Sequence, residues 1–343
     1  MSSIRQPQKH LLRATAVILL WLGFWPGDLS TVAIGQAPPT SPWLRSYIDW
    51  DQYQASRSAA VPHRFPMSSS SAQPLNDTVE FSDVFFADKA IAWTCQILPS
   101  GNMYPSYLAG VKEPRMQTNF SWDSSGKWYW EPCLGGRIPL LRWGNDDIYR
   151  PQGFEIAAEG AAIMRLNLDS DVDYVATDFR GGVPLSFAWG NHITKLAYYH
   201  MSSHSGDEFL IQNPLFTRLN WSRDALVLGH SIYLNLRFRV YGEIGWAFYS
   251  DQSEEWEFQF GLEYAPVFPT DRRGAPFFAA NAHLSEAVNF GGNLTAQAGW
   301  AWRSQQNAGL FRMGGQYYNG MSSQNSFYQL FEQQLSFGIW YDF

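Results

Sequence analysis

The sequence predicts an all-β protein, a transmembrane antiparallel β-barrel of about 12 strands, and three observations support this fold class. Aromatic residues make up 17% of the chain and charged residues only 16%, whereas soluble domains carry about 25% charged residues. The mean hydropathy of -0.26 is mildly polar, and no apolar run reaches the roughly 20 residues of a spanning helix. Apolar and polar residues alternate with a period of two along the C-terminal part of the chain. A barrel with a lipid-facing outer surface and a polar lumen reconciles the three.

The last predicted strand shows this alternation most clearly. In "LFEQQLSFGIWYDF", most large apolar residues occupy one parity and most polar residues the other, which indicates a strand rather than a helix. Similar segments recur between Arg115 and Phe343, and an even number of them suits a bacterial barrel. We interpret Tyr341 and the terminal Phe343 as the C-terminal signal of the barrel.

The N-terminal part predicts three further regions. Basic residues precede the apolar run "ATAVILLWLGFW", which predicts a signal peptide over residues 1–35, with an uncleaved membrane anchor as the alternative. Residues 36–80 are rich in Ser and Pro and predict a disordered linker. Residues 81–114 are expected to form a periplasmic arm or plug, and residues 115–343 the outer-membrane barrel. The signal peptide and the barrel together predict that the protein is exported to the outer membrane of a Gram-negative-type envelope.

The charged residues of the predicted strands are expected to line the lumen, because charges are costly in lipid. The residues with inward parity are Glu131, Arg137, Glu155, Glu159, Arg165, Asp178, Arg180, Arg237, Arg239, Glu243, Glu255, Glu257 and Glu263. About 8 strands give a filled barrel and about 16 a channel. The sequence therefore leaves open a sealed, salt-bridged interior with an envelope-structural role, or a narrow polar pore with the N-terminal segment as its plug.

Composition also limits partners and cofactors. The net charge of -7 provides no basic patch for nucleic acid. We expect outer-membrane lipids and the barrel-assembly machinery as partners, and no cofactor. In an oxidising compartment Cys95 and Cys133 could pair as a disulfide, and the sequence leaves this pairing open.

Several motifs carry a resemblance to a known family. "SYLAGVKEPR", "FRGGVPLSFA", "RGAPFFAANAHL" and "GIWYDF" resemble the bacterial outer-membrane proteins grouped as domain of unknown function 1207. The resemblance runs from about Trp93 to the C-terminus. It implies an outer-membrane β-barrel and implies no activity.

The stretch "YYHMSSHSGDEF" suggests an alternative function. Lys195 should face the lumen, and parity then turns His200 and Ser202 toward the lipid. This His-x-Ser pair is similar to that of outer-membrane phospholipase A and of lipid A deacylases, which implies a lipid-ester hydrolase with Ser202 as nucleophile and His200 as general base. Asn220 or Asp224 on the next strand would orient the histidine. Polar residues at a membrane interface also occur without catalysis.

A calcium ion is expected only if this hydrolase interpretation is right. Its ligands would be Asp207 or Glu208, which follow the pair in the next predicted loop.

Overall fold

A computed structural model describes residues 93–343 of the chain. The predicted signal peptide, the linker and the first residues of the predicted arm lie outside the described residues. Within residues 93–343, no helix is long and apolar enough to cross a membrane.

Antiparallel strands dominate the described part of the chain. They are β1 (Thr94–Ile97), β2 (Met116–Asp123), β3 (Trp128–Gly144), β4 (Gly153–Asn167), β5 (Asp173–Trp189), β6 (His192–Ser205), β7 (Trp221–Tyr233), β8 (Phe238–Ser250), β9 (Trp256–Tyr264), β10 (Ala275–Ser285), β11 (Gly291–Arg303), β12 (Leu310–Met321) and β13 (Phe331–Asp342). One α-helix, α1 (Asp207–Gln212), follows β6, and short 3-10 helices span Glu286–Val288 and Asn325–Phe327.

Strands β2 to β13 form one closed barrel. Each strand pairs antiparallel with its neighbour in sequence, and β13 pairs with β2, with Tyr341 opposite Met116. Closure leaves no long free sheet edge, which is the requirement for backbone that faces lipid. The predicted fold class and its twelve barrel strands are confirmed.

The short strand β1 lies outside this ring of twelve. Strand β3 continues for ten residues past Leu134, which stands opposite the first residue of β2, Met116. Strand β1 pairs with this continuation, with Ile97 opposite Leu141. From there the chain enters the barrel before it begins β2.

The faces of the strands alternate as the sequence predicts. In β6, Lys195, Tyr199 and Met201 are buried, whereas Leu196 and Tyr198 are exposed on the outer surface. Many other large apolar side chains are exposed on the outside, including Leu226, Trp246, Phe260, Phe278 and Phe337. Such an apolar outer band is typical of contact with lipid.

The barrel has two distinguishable ends. We call the end with the connections 206–220 and 322–330 the loop end. The opposite end, where β1 pairs with β3 and the chain terminates at Phe343, we call the terminal end. The short connections 190–191 and 304–309 lie at the terminal end. The connection 265–274 at that end is longer, and several loop-end connections are short.

Candidate functional site

Residues 98–115, which we call the plug segment, lead from β1 into the barrel, and the part from Met103 onward occupies the interior. Tyr104, Tyr107 and Leu108 are almost entirely inaccessible to solvent. The ring of Tyr107 stacks on that of Tyr241 from β8 at a centroid distance of 3.8 Å, and the Tyr107 hydroxyl donates to Glu243 at 2.9 Å. The segment thus has an aromatic core of its own inside the lumen.

Charged side chains of the barrel wall bind the backbone of the plug segment. Arg239 donates to the carbonyls of Pro105 at 2.9 Å and Ser106 at 2.8 Å. Carboxylates accept from the segment's amides: Glu155 from Met103 at 2.9 Å, and Glu263 from Leu108 at 3.0 Å. The wall therefore supplies the hydrogen bonds that irregular backbone needs when it is buried away from water.

The lumen charges are paired with one another. The ion pairs are Arg137–Glu159 at 2.5 Å, Arg142–Glu155 at 2.5 Å, Arg165–Glu131 at 2.6 Å, Arg180–Glu159 at 2.9 Å, Lys195–Glu243 at 2.7 Å, Arg239–Glu263 at 2.6 Å and Lys112–Asp178. Arg223 lies 3.7 Å from Glu257. Pairing offsets the large desolvation penalty of buried charges.

Most of the residues predicted to line the lumen do so, and Glu255 does not. Arg237 precedes β8 in the turn at the terminal end, where it donates to the Tyr264 hydroxyl at 3.1 Å and lines a cavity at that end of the barrel. Glu255 is exposed in the loop before β9 and accepts from the indole of Trp246, an outward side chain, at 3.1 Å. Strand β9 begins only at Trp256, so the alternation does not extend to Glu255.

Sequence parity missed Arg142, one of the most deeply buried charges. Arg137 and Arg142 both face inward, although an odd and an even residue number would place them on opposite faces of a regular strand. A bulge between Pro139 and Leu141 shifts the register, and such an extra residue reverses the inward parity of the rest of the strand. Pro139 was the sequence feature that could have indicated this bulge, because proline within a strand is typical of bulges.

Two cavities lie inside the barrel, on opposite sides of the plug segment. One, of about 100 Å³, is lined by Lys112 and by loop-end residues such as Ser253 and Tyr328. We call it the loop-end cavity. The other, of about 40 Å³, is lined by Ser106 and by terminal-end residues such as Phe343. The plug segment thus separates the two.

A separate polar cluster lies on the lipid-facing surface. His200 of β6 stands directly opposite Asp224 of β7, and its Nδ1 lies 3.0 Å from Asp224 Oδ1. The Tyr198 hydroxyl donates to the same oxygen at 2.6 Å. Asn220 precedes β7 by one residue and is four positions before Asp224, which places it roughly 13 Å away along the strand direction. Of the two predicted orienting residues, the structure brings only Asp224 to the histidine.

Ser202 lies two positions beyond His200 on the same face and opposite Ser222. Its hydroxyl makes no hydrogen bond with any residue between 93 and 343. If the Asp224 carboxylate holds the proton on His200 Nδ1, Nε2 is left to accept a proton from a hydroxyl. The cluster therefore places an imidazole beside a carboxylate, with a serine hydroxyl two positions along the same strand face.

Asp207 and Glu208 belong to the first turn of α1, after β6 has ended. Among the described residues, no group of three or more acidic, histidine or cysteine side chains is arranged to hold a metal ion. Calcium needs about 6 to 8 oxygen ligands. The two carboxylates do not supply such a site by themselves.

Cys95 and Cys133 are both free thiols in the structure, the first exposed and the second buried. Cys95 stands opposite Trp143, and Cys133 is ten residues from Trp143 on the same strand. The two cysteines are thus about 30 Å apart along β3, whereas a disulfide needs Cα atoms within about 7 Å. The structure does not bring the predicted pair together.

The C-terminal aromatic residues lie at the seam of the barrel. The ring of Tyr341 contacts that of Phe343 at 5.0 Å. A Cβ added at Gly136 would lie 3.0 Å from the Phe343 ring, so the glycine allows the ring to cover β3. The Phe343 carbonyl also accepts from the Asn102 side chain at 3.0 Å, which ties the plug segment to the chain terminus.

The closed barrel with an apolar outer surface and a polar lumen defines an outer-membrane-type β-barrel protein. The chain belongs to the family described as protein of unknown function (DUF1207), whose model matches residues 49–343.

Among solved structures, the chain is similar to outer membrane phospholipase A from Escherichia coli, with 13% identity, a TM-score of 0.44, and coverage of 69% of this chain and 93% of that chain. It is similar to the calcium-bound phospholipase dimer from Salmonella typhi, with 14% identity, a TM-score of 0.44, and coverage of 70% and 92%. The KdgM porin gives 8% identity, a TM-score of 0.37, and coverage of 66% and 98%. No match was found among curated proteins. These likenesses concern the fold and assign no activity.

Proposed function

We propose that this protein is an outer-membrane barrel that its own plug segment keeps closed, and that small solutes pass only when this segment moves. The observation that carries the proposal is the position of residues 98–115 between the two lumen cavities. The loop end would face the exterior and the terminal end the periplasm, since longer loops are typical of the outer side. Lipids would surround the apolar band, and the barrel-assembly machinery would insert the chain.

The contacts of the plug segment favour a closed resting state. To leave the lumen, the segment would expose Tyr104 and Tyr107 and would release the backbone groups that Arg239 and Glu263 bind. Each buried hydrogen bond to a charged group contributes about 1.5–3 kcal/mol. Spontaneous opening would therefore be rare.

Planar-bilayer conductance tests the proposal. The wild-type barrel should conduct little, and Tyr104→Ser combined with Tyr107→Ser should raise the conductance, because it removes the aromatic rings that fill the lumen beside Tyr241. A matched control replaces two outward-facing tyrosines, Tyr249→Ser with Tyr317→Ser, and should conduct as the wild type does.

Gel mobility before and after heating must show that each variant is a folded barrel. A wild-type barrel that already conducts as a wide channel would contradict the proposal. So would a folded plug variant whose conductance equals that of the control.

A second candidate is a lipid-ester hydrolase, which the hydrogen bond between His200 and Asp224 on the lipid-facing surface favours. Ser202 would attack an acyl carbonyl, His200 would take the hydroxyl proton, and Asp224 would stabilise the imidazolium. The substrate would reach this face directly from the membrane.

Phospholipid hydrolysis by the folded protein in micelles, with and without calcium, tests this candidate. Ser202→Ala and Asp224→Asn should both lower the rate strongly, whereas Ser222→Ala, which replaces the serine opposite Ser202, should not. Absence of hydrolysis by the folded wild type, or equal rates for Ser202→Ala and Ser222→Ala, would rule the candidate out.

A further inference from the structure

The loop-end cavity has the composition of a binding site for a small polar solute. Its volume is about 100 Å³, and its lining includes Lys112, Arg180, Tyr199, Trp221, Arg223 and Asn281. These side chains come from the plug segment and from strands β5, β6, β7 and β10. Aromatic rings and charged or amide groups therefore face the same small space.

The two carboxylates that line this cavity already have partners. Glu257 accepts from the Tyr199 hydroxyl and lies 3.3 Å from His283 Nε2 and 3.7 Å from Arg223. Glu243 pairs with Lys195 at 2.7 Å. Since these two groups are engaged, they leave little capacity to bind a cationic solute.

Asp178 does not line the cavity. It pairs with Lys112 through Oδ2, and its Oδ1 is buried without a donor among the described residues.

Hydrogen-bond donors, in contrast, remain unused. Arg180 gives its Nε and Nη2 to Glu159, and its Nη1 makes no hydrogen bond within residues 93–343. Trp221 Nε1 and Arg223 Nε are buried without a partner in the same part of the chain. A buried donor without an acceptor costs about 1–3 kcal/mol, so these groups favour a bound oxygen atom.

Two asparagines complete the pattern. Asn281 Oδ1 accepts from Tyr241 at 3.0 Å and from Gln259 at 2.9 Å, whereas its Nδ2 donates to no residue that the structure describes. Asn293 also lines the cavity, and its Oδ1 is a buried acceptor without a donor among those residues. Gln259 lines the cavity as well, and its Oε1 accepts from no residue that the structure describes. The unused groups are thus several donors and two amide oxygens.

From this pattern we propose that the loop-end cavity binds a small hydroxycarboxylate. The carboxylate oxygens accept from donors of the set Arg180, Trp221 and Asn281, and the solute's hydroxyl donates to Asn293. The inference goes beyond the closed-barrel function, because binding here does not require the solute to pass the plug segment.

Size and charge both favour a small monoanion. An apolar cavity of about 150 Å³ holds one benzene molecule, so a cavity of 100 Å³ with an open mouth suits a solute of about six non-hydrogen atoms. The neighbouring cations are paired, with Arg180 on Glu159 and Lys112 on Asp178. The cavity therefore offers hydrogen bonds rather than net positive charge, which favours a monoanion over a phosphate dianion, since removing the dianion from water costs more free energy.

Nuclear magnetic resonance of the indole groups tests the proposal on the full folded chain in micelles. The indole nitrogens of the 16 tryptophans are labelled, and Trp221→Phe assigns the resonance of Trp221. Lactate is the probe, lactamide is its neutral analogue of the same size, and phosphate, at a pH well above its second pKa, is the dianion. Lactate should shift the Trp221 resonance saturably, and lactamide and phosphate should bind at least about tenfold more weakly, a difference of about 1.4 kcal/mol.

Matched amide-to-carboxylate variants locate the site. Asn281→Asp replaces an unused donor by a negative charge in the cavity and should weaken lactate binding about tenfold or more. Gln316→Glu makes the same chemical change at another buried lumen position that does not line this cavity, and it should leave binding unchanged.

Three results would overturn the inference: no saturable shift with lactate, equal affinities for lactate and lactamide, or tighter binding of phosphate than of lactate. Equal weakening by Asn281→Asp and Gln316→Glu would also count against the site. None of these outcomes depends on conductance, so they are distinguishable from a failure of the closed-barrel function.

Discussion

Replacement of Arg239 by methionine should destabilise the barrel and loosen the plug segment together. Arg239 is fully buried; it pairs with Glu263 at 2.6 Å and donates to the carbonyls of Pro105 and Ser106. Methionine keeps a similar length and packs against apolar neighbours. It removes the charge and both backbone hydrogen bonds.

The expected magnitude follows from what the substitution leaves behind. Loss of one partner of a buried ion pair costs about 3–5 kcal/mol, because the other charge stays buried without compensation. In the double variant Arg239→Met with Glu263→Leu this charge term disappears. The remaining cost is that of the unpaired Pro105 and Ser106 carbonyls and the Leu108 amide, each about 1–3 kcal/mol. The double variant should therefore lose less free energy of unfolding than the sum of the losses in the two single variants.

The measurement is urea unfolding of the refolded protein in lipid vesicles, followed by tryptophan fluorescence and gel mobility. Arg218→Met, at an exposed position in the connection 206–220, is the control and should change the free energy of unfolding by less than about 0.5 kcal/mol. A loss below about 1 kcal/mol for Arg239→Met would refute the reasoning. So would a double variant whose loss equals the sum of the two single losses.

Three further predictions concern packing and thiols. Trp340→Ala should lower the free energy of unfolding by about 3–5 kcal/mol in the same urea assay, because Trp340 is completely buried; a loss like that of an exposed side chain would contradict its burial. Gly338→Ala should cost about 1–3 kcal/mol by overpacking, because its Cβ would collide with Trp340 and Asn119; unchanged stability would show that both side chains move freely. A maleimide reagent should modify Cys95 alone in the folded barrel and Cys133 as well after unfolding, and protection of both thiols without reductant would instead indicate a disulfide.

Local chemistry was sufficient for the fold. The period of two, large aromatic residues on one parity and charges on the other already imply strands with a lipid face and a polar face. Lys195 alone oriented β6, because a charge in lipid is costly, and the structure places its side chain inside and His200 outside. These inferences hold since each depends on neighbours along a single strand.

Only the tertiary structure decided which groups meet across the barrel. The strand register gave His200 the partner Asp224 and not Asn220, and it separated Cys95 from Cys133. A bulge in β3 turned Arg142 inward, and the end of a strand left Glu255 outside. The burial of residues 98–115 among wall charges also depends on contacts between residues far apart in sequence, such as Leu108 with Glu263. Alternation within a strand specifies a face, but it contains no information on what stands opposite that face, and so the unused donors of the loop-end cavity became visible only in three dimensions.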